Sequence, residues 1–207
     1  MTAAFYIAFE GIEGCGKSTQ SRSLVESLRA DGMTVTATRE TGGTDIGARI
    51  RDVLHDTANT HLDPVAEALL IAGDRAQHLG AVLAPALARG EHVVSDRSVY
   101  STLAYQGYGR RLPLSTVRAV NDWALDSRWP DLVVLLDVSH EHAMSRLTHR
   151  DLDRFERENG DFFRRVRDGF HHMASDDPSR WCVIDGTGDA VSIADTVRTA
   201  VRERLGI

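Results

Sequence analysis

Gly11-Ile12-Glu13-Gly14-Cys15-Gly16-Lys17-Ser18, followed by Thr19, has the residue types and spacing of a polyphosphate cradle. It matches G-x-x-x-x-G-K-[ST] and lies between a short apolar run and a helical pattern, the context this motif requires. Glycines let the backbone curl so that successive N–H groups point into one cavity. The helix that follows adds the positive end of its dipole. In such a loop Lys17 would reach the β- and γ-phosphates of the bound nucleotide and the Ser18 hydroxyl would ligate Mg²⁺. The chain has 23 arginines and a single lysine, Lys17. A compact ammonium on a flexible stem suits this hole, whereas the planar fork of arginine does not. Where arginine has otherwise replaced lysine, the survivor marks a position at which the two are not interchangeable.

A phosphate cradle does not name a reaction. A guanine-reading N-K-x-D needs another lysine, which excludes the usual GTPase set. The chain is short for a motor or transporter ATPase and suits a kinase of a small molecule. A second group of residues, Asp96-Arg97, follows an apolar run, the place where a parallel sheet presents ligand groups. The Arg97 guanidinium can grip an acceptor phosphate in bidentate fashion. Asp96 can act on Mg²⁺ directly or through water. An ion pair at a strand end is the plainer reading of the two. Further on, Arg146, Arg150 and Arg154 recur at i, i+4, i+8 among acids. That pattern is either a solvated helix face or a mobile flap.

The elements that must position these groups are legible as alternating apolar runs and helical patterns. Strands are expected at Phe5 to Phe9, Thr34 to Thr38, His92 to Ser95, Leu132 to Val138 and Trp181 to Ile184. Helices are expected at Gln20 to Ala30, Ile46 to Leu54, Pro64 to Ala88 with a break near Pro85, Ser115 to Leu125, Glu141 to Leu147, Asp161 to Met173 and Ala190 to Leu205. The fold class is therefore α/β, a five-stranded parallel sheet with helices on both faces. With 207 residues, 42% of them hydrophobic, a single domain over 1–207 can build its own core. A net charge of −6 argues against a protein that coats nucleic acid. The apolar run at Ala3 to Phe9 is far too short for a membrane span and lacks the flanks of a secretory signal. Cys15 and Cys182 form no disulfide framework, so the expected compartment is the cytoplasm. The histidine pairs His140/His142 and His171/His172 lack partners suited to a metal and are expected on solvated surface. Cys15, inside the phosphate loop, is either a nucleotide-shielded thiol or a small residue filling space.

Several segments, in order, resemble the bacterial thymidylate kinases among the P-loop nucleoside monophosphate kinases. They are Phe9 to Thr19, Arg39-Glu40-Thr41-Gly42-Gly43-Thr44 with Arg51, Leu69 to Arg75, Ser95-Asp96-Arg97-Ser98 through Ser101-Thr102-Leu103-Ala104-Tyr105-Gln106-Gly107, and Asp153-Arg154-Phe155-Glu156. The resemblance implies transfer of a phosphoryl group from ATP to dTMP with Mg²⁺, the metal held by Ser18 and Asp96. It implies that Lys17, Arg97 and Asp96 act at the reacting phosphates, with Arg150 and Arg154 as lid arginines and Arg146 and Arg157 behind them. It implies ATP contacts from Gly11 to Thr19. For the acceptor it implies Arg51 and Arg97 on the phosphate, Arg75, Thr102 and Gln106 on the base, Tyr105 under the sugar, Ser101 beside them, and Glu13 and Glu40 near the sugar hydroxyl or the metal.

The chain departs from the family pattern at four places. Thr41 replaces a proline, Ser98 a tyrosine, and Ile71 a phenylalanine that stacks on thymine. Gly14 stands where one branch has an arginine. A lid at about 142–160 and a homodimer formed through helices are further expectations. The rival readings are a kinase for another deoxynucleotide or deoxynucleoside, and a non-catalytic NTP-binding switch.

Overall fold

Every residue of the first strand, β1 (Tyr6–Glu10), is buried, as a central parallel strand covered on both faces must be. In the computed structural model, which describes residues 4–147 and 151–207, the chain continues through α1 (Lys17–Ala30), β2 (Val35–Arg39), α2 (Asp45–His55) and α3 (Pro64–His78). A π-helical segment (Leu79–Leu83) joins α3 to α4 (Ala84–Ala88), followed by β3 (His92–Asp96) and α5 (Val99–Thr102). A second π-helical segment (Leu103–Gly109) precedes α6 (Leu114–Leu125), β4 (Leu132–Asp137), α7 (His140–Ser145), α8 (Gly160–Asp176), β5 (Trp181–Asp185) and α9 (Ala190–Leu205). The strands pair in the order β2-β3-β1-β4-β5, all parallel over the described residues. This is the architecture expected from the alternation of apolar runs.

Alternate side chains of β1 divide the core. Tyr6 and Ala8 pack with Leu83, Ala86 and Val93, while Ile7 and Phe9 join the larger cluster that includes Leu24 and Leu28 of α1 and Val197 and Val201 of α9. The register sets Phe9, Arg39 and Asp96 level with one another. The glycine loop, the Glu40–Gly43 turn and Arg97-Ser98 therefore leave the sheet along one edge, where an open parallel sheet binds its ligands.

Two local features differ from expectation. The helix over Pro64–Ala88 does not break at Pro85. The π-helical widening at Leu79–Leu83, where the Ala84 N–H reaches back to the Leu79 carbonyl, directly precedes the proline. Such widening gives room for a ring that would otherwise collide with a carbonyl one turn earlier. The stretch from Val99 to Gly109 is helical although its glycines at 107 and 109 hide a helical pattern. Both glycines are required by packing: a Cβ at Gly107 would lie 2.4 Å from Leu114 Cδ2, and one at Gly109 would lie 2.6 Å from Phe162 Cε2. Of the surface histidines, His171 pairs with Asp137 at 3.1 Å. Among the described residues, no group of three or more His, Cys, Asp or Glu is placed to hold a metal.

α3 starts on an Asp63 cap, whose Oδ1 accepts from the Val65 and Ala66 amides at 2.8 and 3.3 Å, with Pro64 in the first turn. Asp63→Ala should cost about 1 kcal/mol of stability, read as a lower midpoint at unchanged slope in urea unfolding.

Candidate active site

Two cavities meet at the glycine loop. Gly14, Lys17 and Ser18 border both. The first, about 400 Å³, is lined by all ten residues expected to contact an acceptor: Glu13, Glu40, Arg51, Ile71, Arg75, Arg97, Ser101, Thr102, Tyr105 and Gln106. The second, about 570 Å³, lies over Gly14 to Gln20 and is closed by Arg146, Leu147, Gly188, Ala190 and Ile193.

The loop backbone needs its glycines. Gly11 has φ 135°, and a Cβ there would stand 2.6 Å from the Leu136 carbonyl oxygen and 2.8 Å from Cys15 Sγ. Gly14 has φ 77°, and its Cβ would stand 2.5 Å from the Ala143 oxygen of α7. A side chain at position 14 would require α7 to shift, besides straining the backbone at that φ. Lys17 Nζ donates to the Ile12 carbonyl at 2.7 Å and lies 3.5 Å from Cys15 Sγ. Cys15 is 1% exposed and packs in the main core cluster beneath the loop. The Ser18 hydroxyl donates to Asp96 Oδ2, which juxtaposes two hard oxygen donors.

Positive charge converges on the mouth of the first cavity. Arg97, held at φ 74°, donates to Ser101 Oγ at 3.0 Å, to the Gly11 carbonyl at 3.2 Å and to Glu13 Oε1 at 2.6 Å. Burial alone would weaken its protonation, but the oxygens of Tyr105, Glu13, Glu10 and Asp96 reverse that and hold it firmly charged. The half-buried Arg51 has its pKa lowered, first by burial and then by the charges of Arg39 and Arg97. Three guanidinium groups that disfavour one another in this way form a site suited to an anion. Arg39 was not expected there; it ends β2, level with Asp96.

Behind these groups stand three buried acids. Glu10 accepts from the Ser98 amide and hydroxyl, both at 2.8 Å, and from the Ser101 amide at 3.1 Å and hydroxyl at 2.5 Å. Burial raises its pKa against the opposing pull of Arg97 and these hydroxyls. Ser98, in place of the usual tyrosine, thus ties the start of α5 to β1. Glu40, which lines the first cavity, has both carboxylate oxygens engaged by protein partners. Its Oε2 accepts from Arg75 Nε at 2.9 Å and its Oε1 bonds His78 Nδ1 at 3.0 Å. Burial pushes its carboxyl up, but the Arg75 charge and the His78 bond hold it below the ordinary value. The peptide bond after it, Glu40–Thr41, is cis. Arg75, 1% exposed, also donates to the Asn121 Oδ1 and, at 3.2 Å, to the Ser98 carbonyl. The third acid, Glu67, is wholly buried and meets Gln106, Arg110 and Arg154. It lies four residues before Ile71 and eight before Arg75 on the buried side of α3, and was not singled out in the sequence.

Two buried polar atoms of residues lining this cavity have no partner, Thr102 Oγ1 and Gln106 Oε1. Ile71, 8% exposed, contributes an aliphatic wall. Tyr105 donates to Glu13 Oε2 at 2.5 Å, and its ring is wedged edge-on against Phe155, Phe162 and Phe170.

The charged segment after α7 departs from expectation. Arg154 does not point at the phosphate loop. Its Nε donates to the Leu54 carbonyl at 2.7 Å, and its terminal nitrogen forms a close ion pair, 2.6 Å long, with Glu67. The guanidinium also lies 4.5 Å from the Phe155 ring centroid. A buried acid at Glu67 draws it to the acceptor side, which spacing alone does not reveal. Arg150 lies outside the described residues. Arg157 donates to the Leu152 carbonyl at 3.0 Å. Arg146 instead closes the second cavity, donating to Gly14 and Cys15 carbonyls at 3.4 Å and to Gly186 at 2.8 Å.

Asp153 docks this segment on α2 through His55 Nδ1, 2.7 Å away. Burial raises the Asp153 carboxyl, but His55 and the Glu156 and Phe155 amides outweigh it and bring the pKa from 3.8 to about 2. A depressed carboxyl stabilises the fold above its unfolded pKa and loses that contribution as pH falls through the folded value. His55→Ala should therefore flatten the loss of stability between pH 3.8 and about 2. The effect should be at most about 2 kcal/mol, measured by urea unfolding at each pH.

Comparison with known proteins agrees with this geometry. The family model for thymidylate kinase matches residues 9–196. A thymidylate kinase from Trichlorobacter lovleyi is 44% identical over 209 residues, covering 98% of this chain and 99% of its own. One from Geobacter sp. strain M21 is 45% identical over 208 residues, covering 97% and 92% respectively. The crystal structure of thymidylate kinase from Ehrlichia chaffeensis superposes with a TM-score of 0.79 at 32% identity, covering 97% of this chain and 99% of that one. The chain belongs to the thymidylate kinase family.

Proposed function

We propose that this chain transfers the γ-phosphoryl group of ATP to the phosphate of dTMP, giving ADP and dTDP. The observation that carries this reading is the pair of cavities sharing Lys17 and Ser18, one over the glycine loop and the other rimmed by Arg39, Arg51 and Arg97. ATP places its phosphates on the amides from Gly11 to Thr19 and its base toward Arg146, Leu147 and Gly188. dTMP places its phosphate on Arg51 and Arg97. Its base lies between Ile71 and the polar groups of Arg75, Thr102 and Gln106. The fixed Tyr105 ring packs against its deoxyribose, with no room for a 2′-hydroxyl.

An acceptor phosphate oxygen attacks the γ-phosphorus while the bond from that phosphorus to the β–γ bridging oxygen breaks. The acceptor oxygen is already anionic, so no general base is needed. Catalysis is positioning plus charge neutralisation. Lys17 and Arg97 supply fixed positive charge. Because Arg154 is committed to Glu67, we assign the lid contribution to Arg150. Closure of residues 142–160 over the phosphates excludes water. Ser18 and Asp96, two adjacent oxygen donors, would hold Mg²⁺, a hard cation that takes oxygen ligands. Bound there, it supplies further neutralisation of phosphate charge.

The reading includes a homodimer. Ile46 and Val53 of α2, Val65 and Leu69 of α3 and Trp123 of α6 are exposed apolar residues on helices that pack side by side. No helix among the described residues is long and apolar enough to cross a membrane, both cysteines are free, and we place the enzyme in the cytoplasm.

Arg97→Ala should lower kcat/KM for dTMP by about 10²–10³ while leaving ATP binding intact. Steady-state assays with a panel of acceptors check the substrate; preference for another acceptor, or no dTMP-dependent ADP release, would sink the assignment. Leu69→Glu should shift the protein from dimer to monomer in sedimentation velocity.

A further inference from the structure

Glu67 is wholly buried one turn behind the base end of the acceptor cavity and does not line it. Its Oε1 accepts from Gln106 Nε2 at 2.7 Å and from Arg110 Nε at 3.1 Å. Its Oε2 accepts from Arg110 Nη2 at 3.2 Å and faces Arg154 Nη2 at 2.6 Å. A carboxylate held between two guanidinium groups can only accept hydrogen bonds. The Gln106 amide must therefore turn its NH₂ toward Glu67, which leaves its oxygen on the other side. That oxygen is buried and has no partner, and neither has Thr102 Oγ1 four residues earlier on the same helical stretch. A buried acceptor without a donor is costly until a ligand supplies one.

The chemistry of the ring that would satisfy it follows. A thymine-type ring carries an N3–H donor between two carbonyl oxygens. A cytosine-type ring presents an unprotonated nitrogen at the same place. A glutamine oxygen that cannot rotate away bonds the first and opposes the lone pair of the second. We infer that Glu67 is a positioning residue that locks the Gln106 oxygen toward the base and so selects pyrimidines bearing an N3–H over cytosine. This inference rests on the dTMP reading and deepens it.

The decisive variant is Glu67→Gln. A glutamine at 67 donates as well as accepts, so the Gln106 amide is free to turn over. kcat/KM is measured for dTMP, dUMP and dCMP. The dUMP-to-dCMP ratio should fall about ten-fold or more in the variant, the scale on which an unmatched polar group discriminates. The dTMP-to-dUMP ratio should not change, because those rings share N3–H and differ only at C5. A purely structural role would lower all three values together. An unchanged dUMP-to-dCMP ratio in folded, active Glu67→Gln protein overturns the proposal.

Should that variant fail to fold, the wild-type protein carries the test through the NMR signals of the Gln106 side-chain amide. Its protons should exchange slowly, one of them shifted downfield by the carboxylate. Freely exchanging protons overturn the proposal. This measurement requires no turnover, so it is separate from the test of the kinase reading, which fails if the wild-type protein does not phosphorylate dTMP.

Discussion

Bringing two phosphate groups to bonding distance works against their mutual repulsion. Unit charges 4 Å apart repel by about 4 kcal/mol at an effective dielectric of about 20, and phosphates carry more than one charge. The chain meets this constraint by gathering Lys17, Arg39, Arg51 and Arg97 around one cavity at the ends of β1, β2 and β3. The same cations repel one another: burial first, and then the charges of Arg39 and Arg97, lower the pKa of Arg51. Glu13 and Asp96 offset that repulsion, one clasping Arg97 and the other receiving the Ser18 hydroxyl. Arg97 and Ser18 thus each have an internal partner, Glu13 and Asp96.

Precision comes from a layer beneath. Glu10, Glu40 and Glu67 are each buried to 4% exposure or less, and every one is consumed by donors belonging to the site. Glu10 holds Ser98 and Ser101 under Arg97, Glu40 holds Arg75, and Glu67 holds Gln106. Burying a carboxylate is unfavourable unless it is fully paired, so each acid has a single workable arrangement of its donors. That requirement transmits rigidity from the sheet and α3 to the side chains facing the cavity. The π-helical segment carrying Tyr105 and Gln106 belongs to the same design, since such widened turns re-aim side chains at functional sites.

The phosphate loop is constrained from outside as well. A Cβ at Gly14 would press on the Ala143 carbonyl, so a larger residue there would displace α7. Lys17 is then the one cationic residue within the sequence of the loop, Gly11 to Ser18. Of the arginine-rich stretch after α7, Arg146 lies over the loop and donates to the Gly14 and Cys15 carbonyls, whereas Arg154 is captured by Glu67.

The sheet, its strand boundaries to within a residue or two and the phosphate loop were legible in the amino-acid order, and the resemblance to thymidylate kinases pointed to ten of the cavity's residues. Each depends on a short-range pattern: apolar runs for buried strands, glycine spacing for the loop, and motif segments whose residues stay near one another in sequence. The helix at Val99–Gly109 was hidden because its two glycines, demanded by Leu114 and Phe162, lower helix propensity without revealing the contacts that compensate. The pairing of the buried acids was equally hidden. Glu40 with Arg75, Glu67 with Arg154 and Glu10 with Ser101 join positions 35, 87 and 91 residues apart, and nothing local distinguishes them from solvated charges. Sequence alone determined which groups could do the chemistry. Tertiary structure decided which were free to do it, because an ion pair forms where packing removes water, and that is a property of the whole fold.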